Sequence, residues 1–312
     1  MLVWLAVVTF RVGRVLPFER IGGKAELLMK TVSFLALCWL VAGAALAQQP
    51  LSRDEALKQL YHEYDAGSKT AQWVCTSGQT QSKQMEGWPC SKDYATVTIS
   101  EVLMAEVEED GVEKVYVVTS AAPDSAPGGY DCHACAPAVG MAVFAWKADH
   151  WDLQSANAAT GFYAGWGVPP EVGLAKVGPD RYGVLLSSSY MAQGYASSSK
   201  TLLLPVGSTV TKAWSIGDEE DDLGAYDPTG KDGEKVSYRS SAAIKFVAEN
   251  ETASGPPDYY DIEVISRGED SPGTSGRIKQ ENWTEVYRFG GGKYTLLRHT
   301  DFVETKKAAK AN

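Results

Sequence analysis

From residue 96 onward, short runs of apolar and β-branched residues alternate with clusters of Gly, Pro and Asp, and this punctuation constrains the fold more than any other feature. The run 96–107 is rich in Val, Ile, Leu and Thr, Asp110-Gly111 follows as a hairpin turn, and 115–119 runs back. Both turn residues tolerate the positive φ that a right-twisted two-strand ribbon requires at its tip. Further strands are predicted at 141–146, 151–154, 172–177, 182–188, 201–205 and 210–214, then at 235–239, 243–247, 259–265, 283–289 and 294–297. Turn signals such as Gly178-Pro179-Asp180 and Gly290-Gly291-Gly292 stand between them. Many short strands at this spacing predict a mainly β fold, an antiparallel sandwich, barrel or propeller-like arrangement of sheets.

One helix precedes the strands. Ser52-x-x-Glu55 is a capping box, in which each side chain can satisfy an orphan backbone N–H. Ala56, Leu57, Leu60, Tyr61 and Tyr64 then share a 3.6-residue face, and Gly67 is a fitting stop. The expectation is an N-terminal amphipathic helix that lays its Leu/Tyr face on a sheet. A weak echo links two aromatic hairpins, Phe144–Trp146 with Trp151–Leu153 and Tyr287–Phe289 with Tyr294–Leu296. It suggests two halves divided near 217–233, although two copies establish no repeat.

The segment 29–48 reads as a secretory signal. Met29-Lys30 is a positive start, 32–47 is apolar apart from Ser33, and Ala45-Leu46-Ala47 offers small residues for cleavage. The apolar run of sixteen residues is short for a bilayer span, which takes about 20. The expected start is Met29, the expected cleavage follows Ala47, and 1–47 is therefore set apart from the mature chain 48–312. The protein is expected to be periplasmic or secreted, with no stable membrane insertion after cleavage.

Loss of 1–47 removes five basic residues (Arg11, Arg14, Arg20, Lys24, Lys30) and two acidic ones (Glu19, Glu26) from a chain of net charge −10, leaving −13. A surface this acidic repels nucleic acid and anionic membranes, and suits cationic ligands or solubility alone.

Cys75, Cys90, Cys132 and Cys135 remain after cleavage, and an even count in an oxidising compartment reads as two disulfides. Of three connectivities, Cys75–Cys90 with Cys132–Cys135 pairs neighbours in sequence, and cross-linking the two regions is the alternative. Cys132-His133-Ala134-Cys135 also has the spacing of a redox motif. Such a motif needs a helix to open at the first cysteine and lower its pKa, whereas here a strand follows within a few residues. Its structural reading is a closed disulfide in a loop.

Other chemistry is sparse. Asp218, Glu220, Asp222 and Asp227 cluster oxygen ligands of the kind Ca²⁺ prefers, but their spacing departs from an EF-hand, and a solvated acidic loop is the plainer reading. No other cofactor is expected. Phe162, Tyr163 and Trp166, with Tyr190 and Tyr195 amid Ser and Gly, form a candidate aromatic platform for a sugar or peptide, weighed against a place in the core. Four histidines, His62, His133, His150 and His299, offer little acid–base chemistry, and no nucleophile elbow, metalloprotease or phosphate-loop motif occurs. The reading is an exported β-rich protein that binds a ligand or an envelope partner and is not an enzyme. The alternatives are a thiol–disulfide oxidoreductase using Cys132 and Cys135, and a hydrolase whose acids the sequence does not single out.

Overall fold

A computed structural model describes residues 49–74, 94–123, 132–133, 135–222, 224, 238–248, 258–270 and 279–302. The expected N-terminal extension and signal peptide, 1–47, as well as Cys75, Cys90 and Asp227, lie outside the described residues. The protein is mainly β, as its turn pattern predicts: among the described residues one short helix, α1 (Arg53–Leu60), precedes thirteen strands joined in one sheet.

Helix α1 starts at the expected N-cap, with the Ser52 half of the capping box in place. The Ser52 hydroxyl accepts from the Glu55 N–H at 3.2 Å and donates to the Glu55 carboxylate at 3.2 Å. It ends earlier than Gly67, because Tyr61 is already extended (φ −119°, ψ 137°). Tertiary contact overrides the helical pattern at this point. The Tyr61 hydroxyl reaches 2.6 Å from Thr119 Oγ1 in the interior, where burial raises the phenol's pKa. Gly140 makes the room, since a Cβ there would sit 2.8 Å from that hydroxyl. Asp65 then accepts from the Gly67 N–H and the Ser68 hydroxyl, folding 65–68 into a turn.

β1 (Thr70–Val74), β2 (Tyr94–Glu109), β3 (Val112–Pro123), β4 (Ala138–Lys147) and β5 (His150–Phe162) form an antiparallel meander. β6 (Glu171–Gly178), β7 (Arg181–Ala192), β8 (Tyr195–Val206) and β9 (Thr209–Asp221) form a second. β10 (Tyr238–Val247), β11 (Asp261–Asp270), β12 (Lys279–Gly290) and β13 (Lys293–Phe302) form a third. The strands are longer than the sequence pattern suggests. β5, read as 151–154, runs for 13 residues, because Ser, Asn and Ala continue the ladder where no apolar alternation marks it.

β9 joins all three meanders. Beyond β8, it meets β10 through Glu219–Asp221, and β5 through a parallel pairing of Ala156 with Thr209. The sheet is therefore mixed, where only antiparallel pairing was expected, and it does not close into a barrel. Side chains prolong the short parallel ladder: Ser155 Oγ donates to Gly207 O at 2.6 Å and Asn157 Nδ2 to Val210 O at 3.0 Å. Residues 217–221, expected in an acidic loop, belong to β9.

Alternating side chains stack the meanders. One face of β3 and β4 carries Val115, Val117, Ala142 and Phe144 against Leu51 and Ala56 at the start of α1, and the rest of the helix face packs on Val97, Ile99 and Ala121. The other face, with Tyr116, Val118, Met141 and Val143, meets Val184, Leu186, Leu203 and Val210 of the second meander. That meander's far side presents Val177, Leu202, Leu204 and Trp214 to Ile262, Val264 and Tyr294 of the third. Pro50–Asn312 forms one compact unit. Both aromatic hairpins exist, with Trp146–Trp151 and Phe289–Tyr294 each at 5.3 Å between ring centroids.

The Asp110-Gly111 turn has positive φ at both residues (53° and 71°), as a two-residue hairpin requires. Beside it, Glu109 is 2 % exposed and fully occupied. It accepts from Lys114 Nζ, from the Tyr116 hydroxyl at 2.7 Å and from the Tyr182 N–H at 2.7 Å, while Asp110 pairs with Arg181 at 2.6 Å. The tip of β2–β3 is thereby bolted to the tip of β6–β7. Glu109→Ala should lower stability by about 2–3 kcal/mol, since it strands the Tyr182 backbone N–H and leaves the Lys114 ammonium unpaired, while the Tyr116 hydroxyl keeps only its longer bond to the Tyr182 carbonyl at 3.2 Å. Glu109→Gln should cost less. Urea denaturation measures both, and a loss below about 0.5 kcal/mol for the alanine variant would show that the bolt is dispensable.

Candidate functional site

The apolar character of β7 and β8 stops abruptly. β7 passes from Val184 and Leu186 to Ser187-Ser188-Ser189-Tyr190, and β8 arrives at Leu202 only after Ser197-Ser198-Ser199-Lys200. Antiparallel register places Ser189 opposite Ser198 and Ser187 opposite Lys200, so these four side chains share a face. Ser188, Tyr190, Ser197 and Ser199 share the other. Past the core the ribbon thus presents hydroxyls on both sides.

Two adjoining cavities use these faces and have Ala164, Ser188, Ser189 and Ser198 in common. The larger, about 460 Å³, is a groove between the ribbon and segment 164–171, with Trp166, Ser187, Lys200, Asp218 and Glu219 in its walls. The smaller, about 240 Å³, lies against Phe162, Tyr163 and Tyr190. Of the predicted platform, Phe162 is half-buried against the α1 cluster and Tyr163 against the β3–β4 face, where burial raises its phenol pKa. Trp166 differs from both, being 47 % exposed. Tyr190, Met191 and Tyr195 are also exposed.

The backbone holds Trp166 in an unusual state. Ala164, Trp166 and Gly167 have φ of 63°, 58° and 67°. For the two non-glycine residues this costs on the order of 1–3 kcal/mol each and persists only where neighbours enforce it. The neighbours belong to the cysteine loop. Cys132 and Cys135 form a disulfide, with Cα atoms 5.0 Å apart. The Trp166 N–H donates to Cys132 O at 3.0 Å, the Gly167 N–H to Cys135 O at 2.7 Å, and the Tyr163 N–H to Pro137 O at 3.3 Å. A Cβ on Gly165 would lie 2.5 Å from His133 O, so only glycine permits this approach. The His133 and Trp166 rings meet at 3.8 Å between centroids, and Tyr190 faces His133 edge-on at 6.4 Å. His133 is exposed and is also the aromatic link between the two segments. From Cys135 the chain enters β4 at Ala138, and among the described residues no helix opens at Cys132.

The three predicted acidic ligands that are described, Asp218, Glu220 and Asp222, each have partners of their own. Asp218 accepts from Ser198 Oγ at 2.7 Å and lies 3.4 Å from Lys200 Nζ. Glu220 accepts from the Tyr238 hydroxyl, and Asp222 from the Tyr238 N–H. Among the described residues no group of three or more His, Cys, Asp or Glu side chains is placed to hold a metal ion. Instead, Asp218 belongs to the groove, a role its place in an acidic run does not reveal. Lys200 Nζ lies 2.8 Å from Ser187 Oγ, the separation a lysine-activated serine nucleophile needs. Ion-paired with Asp218, however, the ammonium donates to Ser187 instead of taking its proton. The three groups make a fixed polar floor.

His299 lies near the end of β13 between Glu285 and Asp301, each 3.1 Å from a ring nitrogen, with Trp283 stacked alongside. Hydrogen bonds to Glu285 first and Asp301 second raise its pKa. This exposed cluster is remote in sequence and topology from the groove. Any stability it lends is present below the histidine's ordinary pKa and is lost as pH rises through the raised value. A proton-NMR titration should place the His299 midpoint above 6.5, with Glu285→Gln and Asp301→Asn each moving it back. A midpoint at or below that value in the unaltered protein would contradict the pairing.

No known family, characterised protein or solved structure matches the chain, so the groove itself must carry the functional argument. Among the described residues no helix is long and apolar enough to cross a membrane.

Proposed function

We propose that this is an exported binding protein, periplasmic or secreted, whose groove between segment 164–171 and the β7–β8 ribbon takes a saccharide. Export is supported by the positive start, apolar run and small-residue cleavage motif in segment 29–48. Binding rests chiefly on Trp166, a half-exposed indole held in strained backbone on the wall of a hydroxyl-lined groove. A fixed, solvent-facing indole offers a flat apolar surface to the C–H face of a sugar ring without the entropic cost of ordering a mobile side chain.

The floor matches the same ligand. Serine hydroxyls both donate and accept, carboxylates accept, and the ammonium donates, which is the complement a polyhydroxylated molecule requires. Glu171, Asp218 and Glu219 outnumber Lys200 in the walls, so phosphorylated ligands and nucleic acid are disfavoured.

Calorimetric titration with neutral oligomers of glucose and of N-acetylglucosamine, and with oligolysine as a contrasting cationic peptide, tests the proposal. At least one oligosaccharide should bind saturably. Trp166→Ala should weaken it about tenfold, the equivalent of one aromatic contact, without shifting the thermal midpoint. Saturation by oligolysine alone would replace the saccharide with a cationic peptide. Oligosaccharide binding indifferent to Trp166→Ala would remove the groove from the account.

A further inference from the structure

We propose that the Cys132–Cys135 disulfide is a redox latch on this groove: a dithiol reductant opens it, frees segment 163–168 and withdraws Trp166 from the wall. The inference rests on the binding role just assigned to the groove, but its structural part stands on separate observations. The two carbonyls that hold the strained residues are those of the two bridged cysteines, Cys132 O for the Trp166 N–H and Cys135 O for the Gly167 N–H. The bridge therefore sets the spacing of the two acceptors. The Cys135 N–H to Cys132 O bond at 2.9 Å closes the same turn, and His133 at its apex carries the ring contact to Trp166. With Ala164 and Trp166 at positive φ, the segment has a more relaxed backbone to adopt once that spacing is lost.

The chemistry is ordinary exchange. Cys132 is exposed and Cys135 is buried. A thiolate of the reductant attacks Cys132 Sγ, the protein S–S bond breaks, and Cys135 leaves as a thiolate that takes up a proton. The second thiol of the reductant then attacks its own sulfur in the mixed disulfide and releases Cys132, which is protonated in turn. Two electrons and two protons pass to the protein, and the reductant departs as its own disulfide. Oxidation by a disulfide of higher potential reverses each step.

Hydrogen exchange read by mass spectrometry follows the latch without any ligand. The full chain is compared with and without dithiothreitol, alongside a Cys132→Ser/Cys135→Ser variant and a Cys75→Ser/Cys90→Ser variant. Reduction should speed exchange at the Trp166 and Gly167 amides at least about tenfold while β4 and β7 keep their protection. The Cys132→Ser/Cys135→Ser variant should show the fast rate untreated and not respond to dithiothreitol, and the Cys75→Ser/Cys90→Ser variant should respond like the parent. Unchanged exchange at Trp166 and Gly167 after complete reduction overturns the latch. Loss of protection through β4 and β7 overturns it as well, by making the bridge a staple of the whole fold. Where an oligosaccharide binds the oxidised protein, reduction should weaken it by a factor close to that of Trp166→Ala. An oligosaccharide affinity untouched by reduction, despite faster exchange, would show that the segment moves without gating the groove. Failure of every oligosaccharide to bind would defeat the saccharide reading and leave the exchange result standing.

Discussion

Three consecutive residues of β8, Leu202, Leu203 and Leu204, are wholly buried. Successive side chains of a strand point to opposite faces, so such a run is stable only where both faces are covered. The first meander covers one side and the third covers the other. Burying these leucines is worth about 1.5–3 kcal/mol each, which is enough to make layering of the three meanders the organising constraint. The junction at β9 follows from it. A strand that must serve both layers pairs with β5 at its start and with β10 at its end.

The groove begins where that constraint ends. At Thr201 the β8 strand changes from leucine to lysine and serine, and at Ser187 β7 makes the same change. Hydroxyl side chains gain little from burial between layers, so the layers part and the ribbon runs on between cavities. Backbone pairing with β7 continues without interruption from Leu202 to Ala196, and pairing with β9 continues with one register shift between Ser198 and Ser199, where Asp218 is passed over. The floor of the site is thus carried by strands that also run through the core, a suitable base for fixed polar groups.

The features legible in the sequence were those carried by local chemistry. Ser52 and Glu55 announce the start of α1, and Asp110-Gly111 announces a hairpin with positive φ at both residues. The end of α1 was not legible, because the Tyr61–Thr119 contact that overrides the helical pattern spans 58 residues. The same holds for the parallel pairing of β5 with β9. Glu109 looks in sequence like one more exposed acid at a turn, and only the approach of Lys114, Tyr116 and Tyr182 makes it a buried acceptor. At the site, Trp166 was readable as a candidate. Its partner His133 and the serine floor were not, because serine runs have the composition of a linker and become a surface only once two strands align them.

The cysteine bridge illustrates how a local link can matter more to a site than to a fold. It closes a sequence separation of three residues, so in the chain-entropy picture it restricts the unfolded chain by only about 2 kcal/mol. Few residues are denied freedom by so short a ring. Its effect in the folded protein is of another kind. By setting the distance between Cys132 O and Cys135 O, it holds two amide donors in the adjoining segment and, through them, an exposed indole. Ordering a rotamer-rich side chain on binding costs about 0.5–1.5 kcal/mol, and a segment already ordered by the bridge avoids that cost. A link worth little to global stability and much to one segment is the arrangement in which covalent change at one position can alter a site while the sheet behind it stays folded.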